Sequence, residues 1–307
     1  MTASIIGQFD LFGAPANATP VVNADGSVKG CKTIYAPKGP AGEYAALACN
    51  PYEGCGHGCN YPCYVHAAGF TRLTREQFDA GATLKPDFIA NLRKDAAKYQ
   101  TAGITEQVLL SFSSDVYHGG DTRPTRETLE ILIAHGLGFC TLTKGGRRPL
   151  RDLGLFRPDR DAFAVTLISI DDDFCRIWEP KAPLPGARIA GLKRFHEAGI
   201  FTWISIEPVI DPEMALAVVE ATHEFVDLYK IGKVNYSNLT QVIDWRTFTL
   251  RMLDLLNRVG AKAAYFKRDL QCYLPAGYPN PMRVPQHHGG LVVTEMAGTA
   301  DNPEAAP

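Results

Sequence analysis

Short apolar segments alternate along this chain with amphipathic stretches, and that alternation leaves few folds open. Residues 46–51, 107–113, 138–143, 162–169, 201–206, 227–232 and 262–266 read as strands. Helical spacing fills most of the gaps, at 84–99, 125–135, 186–198, 212–225 and 245–259. In the first of these, Leu84, Phe88, Ile89, Leu92 and Ala96 share one face. Asp211-Pro212-Glu213 supplies an N-cap, a proline at the first helical position and an acid in the first turn. Phe248, Met252, Leu255 and Val259 face one way, and Gly260 stops that helix. Repeated strand–helix–strand order predicts parallel strands joined by helical crossovers. The expected fold class is therefore α/β, a partial or full (β/α) barrel of about six parallel strands. An open doubly wound sheet is the alternative, and either fold puts function at the C-terminal strand ends.

The 307 residues suffice for one large domain or two small ones. Three regions are expected: an N-terminal arm over 1–40, the barrel over 41–275, and a C-terminal extension and tail over 276–307. Hydrophobic residues make up 46% and charged residues 21%, which excludes global disorder. A net charge of −2 gives no support for strong nucleic-acid binding, although it leaves a local basic groove open. No apolar run is long enough to span a bilayer, and Met1–Phe12 lacks a basic n-region, so a cytoplasmic location without membrane contact is expected. There the eight cysteines should be thiols or metal ligands rather than disulfides.

Three of those cysteines crowd into one loop, Asn50-Pro-Tyr-Glu-Gly-Cys55-Gly-His-Gly-Cys59-Asn-Tyr-Pro-Cys63-Tyr64. Its glycines permit tight turns. Thiolates are soft ligands that favour zinc or iron–sulfur clusters. Three close thiolates can hold three corners of a four-iron cluster and leave the fourth iron open. A structural zinc site wants four ligands, and no second Cys-x-x-Cys pair occurs. A zinc knuckle completed by His57, His66 or Cys49 is the competing reading.

The loop resembles the cluster loop of radical S-adenosylmethionine (SAM) enzymes, and its context resembles the branch related to spore photoproduct lyase. The resemblance rests on Tyr35-Ala-Pro-Lys-Gly, Glu43-Tyr44 and the cysteine loop, and continues through Ser113-Ser-Asp115, Thr143-Lys144, Ser205-Ile-Glu-Pro208, Lys230-Ile-Gly-Lys233 and Tyr265-Phe-Lys-Arg268. One departure stands out: Pro62 makes the spacing Cys-x3-Cys-x3-Cys, one residue longer than usual. The resemblance implies a [4Fe-4S] cluster on Cys55, Cys59 and Cys63. It also implies S-adenosyl-L-methionine as cofactor and a flavodoxin- or ferredoxin-type electron donor. The implied reaction is reductive SAM cleavage followed by hydrogen-atom abstraction. It leaves the substrate and the lyase or transferase subclass open, with a nucleic-acid component among the candidates. In photoproduct lyase a cysteine before the corresponding turn returns a hydrogen atom; Phe112 stands there and cannot. The alternatives are a zinc-binding module, or a degenerate barrel without a cluster that acts in binding.

The resemblance assigns SAM contacts to Ser113, Ser114 and Asp115 after the second strand, Lys144 after the third and Ser169 after the fourth. Hydroxyls and a carboxylate suit an ammonium group, and a lysine suits a carboxylate. Ordinary polar capping of strand ends competes with each assignment. Glu207 could bind a ribose diol or a basic group, or pair structurally with Lys230. Lys230, Lys233, Asn235, Lys267 and Arg268 could form a basic rim for a phosphate-bearing substrate, or an ordinary solvated edge. Arg147, Arg148 and Arg151 add charge near the third strand's exit. Cys140 reads as core, and His287 and His288 are not read as ligands. No catalytic residue is assigned.

Overall fold

A computed structural model describes residues 20–110 and 112–280. Its strands, in chain order, are β1 (Leu47–Cys49), β2 (Tyr52–Gly54), β3 (Ala82–Leu84), β4 (Gln107–Leu110), β5 (Gly138–Thr143), β6 (Ala162–Thr166), β7 (Phe201–Val209), β8 (Leu228–Lys233) and β9 (Ala264–Phe266). All seven apolar segments of the sequence enter one sheet, in the order β1-β4-β5-β6-β7-β8-β9. Every neighbouring pair is parallel. Among the described residues no ladder joins β1 to β9, so the sheet is a partial barrel. Helices Phe88–Thr101, Arg123–Ala134, Pro185–Glu197, Pro212–Thr222 and Trp245–Arg258 make five of the six crossovers, and a 3-10 helix, Arg148–Leu155, lies in the one from β5 to β6. No described helix is long and apolar enough to cross a membrane.

Side-chain alternation along the strands builds two cores. Phe139, Phe163, Val165, Ile204, Ile206, Tyr229 and Ile231 pack outward in the larger cluster with the helices. Cys140, Ala162, Ala164, Trp203 and Leu228 pack together inside the barrel, with Tyr44, Leu109 and Tyr265. The alanines leave room for Trp203, whose indole Nε1 donates to Cys140 Sγ at 3.2 Å. Lys230 also enters this lumen and is fully buried. Its Nζ donates to the carbonyls of Glu43 and Tyr44 at 3.1 and 2.9 Å. It also lies 5.0 Å from the Trp203 ring centroid and 5.2 Å from that of Tyr44.

Two expectations change. The helix expected over 84–99 starts at Phe88, because Leu84 pairs with Tyr52 across β2 and β3. Asp87, at φ 54°, then redirects the chain. The strand expected over 107–113 ends at Leu110, because the Asn50 carboxamide captures the amides of Phe112 and Ser113. The described part of the arm is tied down. Asp95 Oδ2 accepts from the amides of Lys32, Thr33 and Ile34 at 3.0, 2.7 and 3.2 Å, and Tyr35 bridges Ala48 beside β1. The expected tail, with His287 and His288, lies outside the described residues.

Candidate active site

The chain leaves β1 at Cys49, passes through β2 and enters the thiol loop. Cys55, Cys59 and Cys63 are partly buried thiols. The loop is pinned from several sides. Cys55 and Gly56 donate their amides to Phe78 O at 3.0 and 3.2 Å, and Asn60 N donates to Trp178 O at 2.8 Å. The Arg75 guanidinium donates to the Cys59 carbonyl. Gly54 has φ +81°, and a Cβ there would meet Gly81 O at 2.1 Å, so only glycine fits this approach. Beside Pro62, Tyr61 turns inward and is buried. Tyr61 packs with Ile168, Cys175 and Ile210, and its hydroxyl donates to Glu179 Oε1 at 2.9 Å.

Asp115 ties this loop to two strand ends. Its Oδ1 accepts from Tyr117 N at 2.7 Å and Thr143 Oγ1 at 2.6 Å. Its Oδ2 accepts from Lys144 N and His57 Nε2, both at 2.7 Å. A carboxylate has about four lone-pair sites, and all are taken. Burial disfavours the charge, but His57, Thr143 and the Lys144 amide together hold its pKa well below the usual carboxylate range. Asp115 therefore braces the loop, where a direct contact to a bound ammonium had been expected.

Lys144 lies beside the thiols. Its Nζ is 3.6 Å from Glu179 Oε1 and 5.9 Å from the Tyr61 ring centroid. Burial opposes its charge, yet Cys59 and Glu179 hold its pKa above the ordinary lysine value. Burial raises the Cys55 and Cys59 thiols, and Lys144 pulls both back. Glu179 is itself buried against the Arg188 guanidinium. Sequence reading missed Glu179 and Arg188: both lie on the β6-to-β7 crossover, far along the chain from the thiols, and carry no motif.

The remaining expected residues divide. The Ser113 hydroxyl is buried with no hydrogen-bond partner. Ser114 Oγ donates to the Gly54 carbonyl and braces the loop. Ser169 Oγ accepts from Asp171 N at 2.9 Å and contacts Met214 Sδ at 3.2 Å, so it caps a strand end. Glu207 accepts from Lys267 Nζ at 3.0 and 2.9 Å and from the Tyr44 hydroxyl, and not from Lys230. The basic rim does not form either. Lys230 is buried in the lumen, Lys267 pairs with Glu207, and Lys233 lies over the rings of Trp245 and Tyr273 at 5.3 and 5.0 Å. Arg148 and Arg151 donate to the carbonyls of Tyr117 and Thr122.

The donor set separates two metal readings. Among the described residues no three His, Cys, Asp or Glu side chains converge on a single-ion site. Cys49 is buried in β1, His57 Nε2 is engaged by Asp115, and the His66 ring packs on Phe78 at 4.6 Å; none of the three converges with the thiols. A four-iron cluster takes one thiolate per iron, so its ligands need to share a loop without converging on one point. Three thiols on a braced loop, a lysine beside two of them and the unpartnered Ser113 hydroxyl fit that group.

No family model matches the chain. Spore photoproduct lyase aligns with a TM-score of 0.60 at 12% identity, over 82% of this chain and 88% of its own. A variant of that enzyme with dinucleoside spore photoproduct gives 0.59 at 14% identity over the same shares. SuiB of Streptococcus suis, bound to S-adenosylmethionine, gives 0.54 at 12% identity over 76% of this chain and 52% of its own. The chain shares the α/β partial-barrel fold of these proteins. By sequence, the uncharacterized protein ORF301 of Acidianus two-tailed virus is 26% identical over 218 residues, covering 67% of this chain and 71% of that one. The uncharacterized protein Rv2578c of Mycobacterium tuberculosis is 29% identical over 175 residues, covering 52% of this chain and about half, 48%, of its own length. In this fold the thiol loop, Ser113 and Lys144 follow the C-terminal ends of β1, β4 and β5, on one edge of the barrel.

Proposed function

We propose that this chain is a radical SAM enzyme in which Cys55, Cys59 and Cys63 hold a [4Fe-4S] cluster. The observation that carries the reading is one braced loop bearing three thiols at the C-terminal end of the first strand of this partial barrel. When bound, the cluster and S-adenosylmethionine supply one-electron chemistry that ends in hydrogen-atom abstraction from a substrate. The protein's own part is binding, orientation and exclusion of water. The Ser113 hydroxyl, unpartnered and buried, is the hydrogen-bonding group for the methionine end of SAM. The Lys144 ammonium has donors beyond its one contact to Glu179 and pairs with the SAM carboxylate. Asp115, through His57 and the Lys144 amide, keeps loop and lysine in register. The lumen filled by Trp203, Tyr44 and Tyr265 keeps water from the reacting side.

Phe112 packs edge-on to Tyr44, with centroids 6.0 Å apart, and has no thiol-like hydrogen atom to return. Photoproduct repair is therefore not the proposed reaction, and a nucleic-acid component remains the substrate class. A flavodoxin- or ferredoxin-type protein is the proposed electron donor. The test is anaerobic reconstitution with iron and sulfide, followed by EPR of the reduced protein with and without SAM. A four-iron signal that shifts on SAM addition, and that Cys59→Ala abolishes, is expected. Stoichiometric zinc, or no four-iron signal, would sink the proposal.

A further inference from the structure

A cleft on the outer side of the β1 end holds two lysines that the site above does not use. Its volume is about 190 Å3, and it is lined by Lys32, Thr33, Tyr35, Asn50, Lys85, Pro86, Phe88 and Asn91. No carboxylate is in the lining. Among the described residues neither ammonium has a hydrogen-bond or ion-pair partner. Lys144, Lys262 and Lys267, by contrast, each pair with a carboxylate. Lys85 is only partly exposed, and burial pushes its pKa below the ordinary lysine value, with Glu53 acting the other way without pairing. A half-buried ammonium without a counter-ion is a costly arrangement unless an anion comes to it.

The neutral lining suits an oxyanion as well. Tyr35 Oη accepts from Asn50 Nδ2 at 2.6 Å, which leaves the phenol's own proton to donate onward. The Thr33 hydroxyl and the Asn91 carboxamide add donors. Two cations and several neutral donors in such a volume match a tetrahedral oxygen-rich anion better than a planar carboxylate. The cleft is also continuous with the thiol loop. Lys85 N donates to Pro51 O at 2.9 Å, directly after β3, and β3 pairs with β2, which runs into Cys55. Asn50 lines the cleft and holds the Phe112 and Ser113 amides with its other end.

We propose that Lys32 and Lys85 anchor a phosphate group of the substrate in this cleft, beside the thiol loop. That the phosphate belongs to the substrate of a radical reaction rests on the function proposed above; the site itself does not. Calorimetric titration of the full chain at low salt, before and after cluster reconstitution, tests it, with inorganic phosphate and a single-stranded decathymidylate as probes. Saturable binding is expected in both preparations. Lys85→Gln and Lys32→Gln should each weaken it about tenfold. Asn91→Asp should weaken it at least as much. That substitution puts a carboxylate at the end of a helix's first turn, where it favours the fold, so its effect is not explained by unfolding. Binding of phosphate with no oligonucleotide binding identifies a small phosphate ester as the source, and binding of both identifies a nucleic-acid strand. No saturable binding, or variants that bind as the parent does, overturns the site. Phosphate binding in a preparation that gives no cluster signal supports the site and counts against the radical reading alone.

Discussion

At the scale of single residues the decisive group is Asp115, and its role differs from the one its neighbourhood in the sequence suggests. A serine-rich turn ending in aspartate after a strand looks like a ligand-binding edge. All four acceptor positions of the carboxylate are filled from within the protein, by groups on the thiol loop, its own turn and the end of β5. No sequence pattern reports that, because His57 and Thr143 lie far from Asp115 along the chain. Asp115→Asn places an amide against a donor it cannot satisfy, and should cost about 3 kcal/mol in chemical denaturation. It should also lower iron incorporation, since His57 lies between two of the thiols. The depressed pKa gives a pH signature with a definite sign. A carboxyl ionised more readily in the folded than in the unfolded state contributes stability above its unfolded pKa of ~4, and loses it as pH falls toward the folded value. The parent's unfolding free energy, followed by circular dichroism, should fall as pH drops below about 4, and Asp115→Asn should flatten that limb. An unchanged acid limb would remove Asp115 from the account.

At the scale of elements, the strands were readable because each is a short apolar run bounded by turn residues. The five long crossover helices were readable because their apolar faces repeat at helical spacing. The β2–β3 pair was not readable. Each strand has three residues, Thr83 and Leu84 of β3 are exposed, and Leu84 extends the apolar stripe of the following helix, so periodicity assigns it to that helix. That small pair nevertheless sets the thiol loop. Gly54 approaches Gly81 across it so closely that a methyl group would meet a backbone oxygen. Gly54→Ala should therefore cost about 2 kcal/mol or more and impair cluster loading. Gly103→Ala is the control: that glycine also has a positive φ, +70°, but nothing lies within 4 Å of the added carbon. It should cost only about 1 kcal/mol of backbone strain and leave iron content alone. Equal iron loss in the two variants, measured per chain after reconstitution, would show that the close approach does not hold the loop.

At the scale of the whole molecule, the sequence marks residues as buried but cannot say what fills the lumen of the partial barrel. Strand alternation places Ala162 and Ala164 on one face of β6, yet their smallness has meaning only beside Trp203, which comes from the next strand. Lys230 is the clearest case. As a lysine near a strand end it reads as part of a basic rim; in the fold it points inward and is held by two carbonyls and two aromatic faces. Those contacts join Tyr44, just before β1, to β7 and β8, and the indole joins them to Cys140 on β5, so Trp203 links distant parts of the chain in one core. Trp203→Ala should thus lower the stability of the barrel as a unit, by about 3–5 kcal/mol, rather than loosen one strand. The vacated space has the shape of an indole and mostly apolar walls, and such cavities take up matching apolar molecules. Added indole should then raise the unfolding midpoint of the variant and leave the parent unchanged. If Trp203→Ala unfolds at the parent's denaturant concentration, or indole moves both proteins alike, Trp203 is not the common core of the barrel.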